Sequence, residues 1–151
     1  MASIIKTCEK TIITELAEAI STFNLDEVSK LLSDNGDFET QNDKDDIVLT
    51  NKVNFLDWLK ECINEFLIDN KSHHRLEYTV IQCLHCVTGN PIIIFDNGKF
   101  PVFPKNKGQN EKNGLLIKLD DNKITGIELC LLVMKTENPF IYEKRCIRTG
   151  Y

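Results

Sequence analysis

The sequence has no apolar run long enough to cross a bilayer: runs such as Pro91 to Phe95 fall far short of the roughly 20 residues that a membrane helix needs. An export signal is missing too, because Lys6, Glu9, Lys10 and Glu15 interrupt the stretch where its apolar core would lie. Both absences point to a cytoplasmic protein that makes no membrane contact. The chain also lacks Gly-x-Gly-x-x-Gly, a P-loop and Gly-x-Ser-x-Gly. Nucleotide cradling by those loops and serine hydrolysis therefore have no local geometry to work with. Nor is there a basic stripe interleaved with aromatics, and the formal charge is −5, so nucleic-acid binding has no electrostatic footing.

What is present is ordinary globular material. A chain of 151 residues, 42% apolar and 27% charged, reads as a single domain over 1–151 with enough chain to bury a core. Charge divides unevenly, about −9 over residues 1–70 and +4 over the remainder. The acidic half is the helical one, and the basic end "YEKRCIRTGY" reads as a solvated terminus. Six cysteines in a chain with a core and no export signal are reduced thiols more simply than a disulfide framework.

Periodicity places helices first and strands afterwards. Ile12, Ile13, Leu16, Ala17 and Ile20 recur at helical spacing over Thr11 to Ile20. In "NLDEVSKLL", Asn24 with Glu27 three positions on is a capping-box pattern, and Val28, Leu31 and Leu32 make an apolar face that Gly36 is expected to end. Asp37-Phe38-Glu39 and Ile47-Val48-Leu49 flank a turn-rich stretch and predict a hairpin. A longer helix, capped by Asn51 or Asn54, carries Phe55, Leu59, Cys62, Ile63 and Phe66 in one stripe, widened by Trp58. From Arg75 the period changes to 2. Asn97-Gly98 and Asp120-Asp121-Asn122-Lys123 predict hairpin turns, and "PKNKGQNEKNG" between them reads as a polar loop.

Helices followed by an antiparallel meander make an α+β arrangement with one sheet face buried under the helices. Ile127, Leu129, Leu131 and Val133 supply that dry face, and Glu128 and Cys130 point to the other, expected to be mixed in character. The order of helix, short helix, "LLSDNGDFETQNDKDDIVLTNKVNFLDWLKECI", then strands ending in "LLIKLDDNKITGIELC", resembles the nuclear-transport-factor-2-like superfamily, which includes SnoaL-like cyclases and ketosteroid isomerases. The resemblance spans about residues 8–135. It implies N-terminal helices packed on a curved antiparallel sheet, a cystatin-like cone with an open mouth, paired into a homodimer through the sheet. It implies no cofactor.

The same resemblance offers Asp37 or Glu39 as a general base, with Glu128 or His85 as partner, in a small-molecule isomerase or lyase. An acidic hairpin favours solvent exposure for both Asp37 and Glu39. The tyrosine that isomerases use as oxyanion donor has no counterpart in the first helices, and His73 and His74 lie in a polar connection. Pocket-lining candidates are Trp58, Tyr78, Glu128 and Cys130. Cys83 and Cys86, in "QCLHC", have metal-knuckle spacing, but no second pair completes a tetrahedral set, and a strand context disfavours redox catalysis. Strand thiols are the simpler reading, and a zinc-stabilised scaffold is the alternative. Around the prolines of "KFPVFP", Phe100 is expected to be buried, with Phe103 left open. The residues favour a binding module, for a small apolar ligand or a protein partner, over an enzyme.

Overall fold

The computed structural model describes residues 7–72, 74–82, 90–102, 111–134 and 142–145. Helix α1 (Thr7–Ser21) buries Ile12, Ile13, Leu16, Ala17 and Ile20, while Thr14 and Glu15 face solvent. Each such isoleucine or leucine contributes roughly 1.5–3 kcal/mol by leaving water. The helix stops without a glycine. Phe23 takes a left-handed φ of 62°, Asn24 N–H donates to Ala19 O at 2.8 Å and Phe23 N–H donates to Ile20 O at 3.0 Å. That pair of bonds is a Schellman closure. The strain of a bulky residue there is offset by the packing of its ring on Phe66, 6.4 Å between centroids.

Asn24 then caps α2 (Leu25–Leu31), its Oδ1 accepting Glu27 N–H at 3.2 Å as the capping pattern predicts. The end of α2 differs from expectation. Leu32 is already extended, so Gly36 lies inside β1 (Leu32–Gln41) and stops nothing. Its lack of a side chain is needed for another reason: a Cβ there would stand 2.5 Å from Cζ of the buried Phe38 ring. The hairpin from β1 to β2 (Ile47–Thr50) is present, with Phe38 opposite Thr50 and Gln41 opposite Ile47. Asn51 caps α3 (Lys52–Asp69) by accepting Asn54 N–H at 2.9 Å. Phe55, Leu59 and Ile63 are the buried centre of its stripe, flanked by half-buried Trp58, Cys62 and Phe66.

The remaining strands are β3 (Tyr78–Gln82), β4 (Pro91–Phe95), β5 (Glu111–Asp120), β6 (Lys123–Met134) and β7 (Tyr142–Arg145). They complete a seven-stranded sheet of order β2-β1-β6-β5-β4-β3, with β7 also paired to β6. The sheet is mixed rather than antiparallel, because β1 runs parallel to β6. No hairpin links those two strands; the chain returns from β1 to β6 by way of β2, α3 and three further strands. The turn at Asp121 and Asn122 is present, with φ of 47° and 67° closing Asp120 against Lys123. The reversal at Asn97-Gly98 is present as one tight turn in which φ is 54° and 86°, bridged by Phe95 against Phe100. The polar loop before β5 is shorter than read, because Glu111 to Gly114 pair with β6.

Both faces of the sheet are apolar at its centre. Ile93, Phe95, Leu115, Ile117, Ile127 and Leu129 join α1 and α3 in the main core. On the other face, Ile92, Ile94, Leu116, Cys130 and Leu132 form a second buried cluster, which corrects the expectation of a merely mixed side. Phe100 is buried as expected, and Phe103 lies outside the described residues. Among those residues, no helix is long and apolar enough to cross a membrane.

Gly36→Ala is expected to destabilise the protein by about 1–3 kcal/mol through overpacking against Phe38. Urea unfolding of the two proteins checks this, and equal midpoints would show that the Phe38 ring moves aside at no cost.

Candidate functional site

The outer edge of β6 is used by β1 as far as Ile127 and by β7 from Leu131 onwards. Leu129 N–H falls between the two. Glu39, 1% exposed, reaches it, and its Oε1 accepts that N–H at 2.8 Å. Asp37, two residues earlier, is exposed. The acidic hairpin is therefore not solvated throughout: β1 carries Asp37 in water and Glu39 in the sheet. A carboxyl group is retained at such depth only when hydrogen bonds replace its hydration.

Glu128 lies on the opposite face of the sheet from the helices and pairs with Lys118, Oε1 to Nζ 3.5 Å. Cys130 shares that face, buried, its Sγ 3.3 Å from Gly114 O. Trp58 and Tyr78 belong to the helix side, Trp58 against Phe55 at 5.9 Å and Tyr78 against Phe95 at 6.3 Å. The four pocket candidates are thus split two and two by the sheet. His85, Cys83 and Cys86 lie outside the described residues.

Tyr78 also ties β3 to α1. Its hydroxyl donates to Glu18 Oε2 at 2.9 Å, and Arg75 Nη1 lies 3.0 Å from Glu18 Oε1. Next to this pair, Ser21 Oγ donates to Leu76 O, and Leu76 N–H returns a bond to Ser21 O at 2.8 Å. The Tyr78 hydroxyl, and after it Arg75, hold the Glu18 carboxyl below its ordinary value, and the same bond pushes the Tyr78 phenol up.

The clefts among the described residues include two of similar size. One, of about 610 Å³, follows the irregular start of β1, where Lys52 Nζ donates to Leu32 O at 3.2 Å and Lys123 Nζ to Lys30 O at 2.8 Å. These ammonium groups satisfy carbonyls left open around the end of α2, so their role there is to hold the chain. The other, of about 580 Å³, lies between the second half of α3 and the 96–102 turn. Cys62, Glu65, Phe66 and Asp69 of α3 face Asp96, Lys99, Phe100 and Val102 across it. The Cys62 thiol is pushed up to about 12 by burial, then by Glu65 and Glu61. Sequence reasoning took Phe66 for core and missed this cleft. The available signal was the last turn of α3, which has no basic residue against the helix dipole.

Glu39→Ala is expected to cost about 1–3 kcal/mol by leaving Leu129 N–H without its acceptor, while Glu39→Gln, which keeps an oxygen there, is expected to cost less. Denaturant unfolding of both variants decides between them; equal losses would assign the effect to charge rather than to the acceptor. Because the Glu18 pKa is depressed in the folded protein, its contribution is present above the unfolded carboxylate value and is lost as pH falls through the lower folded one. Tyr78→Phe should therefore flatten the acid limb of the stability profile, read as urea midpoints from pH 6 down to pH 3.

No protein-family model matches the chain, and no curated protein matches it. Among solved structures, it is similar to an NTF2-like protein of unknown function from Cytophaga hutchinsonii. There the identity is 16% and the TM-score 0.45, with 87% of this chain and 94% of that one covered. A candidate polyketide cyclase from Pseudomonas putida is similar at 14% identity and TM-score 0.43, covering 83% and 91%. A candidate ketosteroid isomerase from Kribbella flavida is similar at 7% identity and TM-score 0.38, covering 79% and 73%.

Proposed function

We propose that the chain is a single cytoplasmic domain over 1–151 that acts by binding, as a small ligand-binding or protein-interaction module without catalysis. The observation that carries this reading is the bond from Leu129 N–H to Glu39. A general base needs a carboxylate with a free lone pair facing a solvent-connected pocket and a donor opposite. Glu39 is enclosed at 1% exposure and holds a strand edge, Asp37 stands in water, and Glu128 is ion-paired on the far face of the sheet. No two of these carboxylates share a cavity among the described residues. The homodimer through the sheet that the resemblance implies belongs to the same reading.

Native mass spectrometry of protein purified without chelator tests it. A retained organic adduct, or a dimer without metal, is the expected result. One zinc per chain would replace the reading with a metal-stabilised scaffold built on Cys83 and Cys86.

A further inference from the structure

We propose that the cleft between the C-terminal turns of α3 and the 96–102 turn binds an organic cation, an amine carried on an aromatic or alkyl body. The inference rests on the binding-module reading and names its site and ligand class. The cleft holds about 580 Å³, within the roughly 300–1,000 Å³ of small-molecule sites. Its floor is the half-buried Phe66 ring, backed edge to face by the buried Phe100, their centroids 5.8 Å apart and their planes at 83°. Val102, 69% exposed, extends the apolar surface to the rim. Beside the half-buried Phe66 ring it widens the apolar surface that a ligand body can cover.

Charge decides what kind of body. Glu65 and Asp69 lie one turn apart on the same face of α3, both exposed, and Asp96 faces them from the turn. Among the described residues, no lysine or arginine forms an ion pair with any of the three. Among the described residues, Lys99 is the one basic residue lining the cleft. Asp69 is also the last residue of α3, so its carboxylate adds to the negative end of the helix dipole. Asn70 Nδ2 covers one of the last carbonyls, Phe66 O, at 2.9 Å, and brings no charge. Burial first, and after it Glu65 and Glu61, push up the Cys62 thiol inside the cleft. An anion would meet three carboxylates and a carbonyl end. An ammonium group at the rim would meet complementary charge while its apolar body covers Phe66 and Val102, with a cation–π contribution where it passes over the Phe66 ring face.

The test is an amide NMR titration with three probes that share one body: 4-phenylbutylamine, 4-phenylbutanol and 4-phenylbutyrate. The amine is expected to shift the amides of residues 62–70 and 96–102, and to bind roughly fivefold more tightly than the alcohol, the scale of a partly exposed ion pair. The acid is expected to bind most weakly. Glu65→Gln combined with Asp69→Asn should bring the amine down to the affinity of the alcohol and leave the alcohol unchanged, a control that both substitutions keep the cleft intact. Raising the salt concentration should erode the amine's advantage. Equal affinities for the three probes, or shifts confined to other residues, would overturn the proposal. Either result would leave the non-catalytic reading standing, whose own failure is a zinc adduct in the mass spectrum.

Discussion

Strand β6 pairs with β5 along its length, while its other edge is divided between β1 and β7, and the Glu39 carboxylate takes the one N–H that the division leaves over. An unpaired buried N–H costs about 1–3 kcal/mol, and a buried carboxylate without donors costs more. Each group removes the penalty of the other. The bond also pins β1 where it leaves β6, one residue after Phe38 has entered the core beside Phe55, 5.3 Å between ring centroids. If β1 slipped by one residue, Phe38 and Glu39 would exchange environments, which puts a charge in the core and a phenyl ring at the strand edge. A residue that reads as acid chemistry in the sequence thus sets register in the fold.

Alternation along β6 governs the placement of chemistry elsewhere. Ile127 and Leu129 face the helices, so Glu128 and Cys130 must face away. Because both faces are apolar at the centre, the sheet acts as a partition, and side chains on its two sides cannot form one site. Trp58 and Tyr78 are kept from Glu128 and Cys130 by that partition rather than by distance along the chain.

Features fixed by a few neighbouring residues were legible in the sequence. Asn24 and Asn51 bond the N–H three residues on, Asp121 and Asn122 adopt positive φ between two strands, and α3 buries its stripe. What was not legible depends on partners far away. Phe23 ends α1 in a conformation usually left to glycine, held by Phe66 more than forty positions later. Gly36 is required by a ring it meets only after β1 has joined β6. Burial of Glu39 follows from where β1 and β7 meet on a third strand, and no window of sequence contains all three. The second core has the same origin, since its members come from β4, β5 and β6.

Helix α3 shows how one element can meet two demands. Its first half follows every local rule, with a bonded asparagine cap and Phe55 and Leu59 fully buried. Its second half breaks one, placing Glu65 and Asp69 where the helix dipole favours cations, at a cost of about 0.3–1 kcal/mol for a charge in the last turn. No ion pair among the described residues offsets that cost. Sequences tend to agree with their folds at every level except where something other than stability is being selected. The departure falls where α3 leaves the filled core and Phe66, half-buried, opens onto a cleft. The unfavourable charges and the unfilled apolar surface occupy the same turn of helix, and a cation with an apolar body relieves both together.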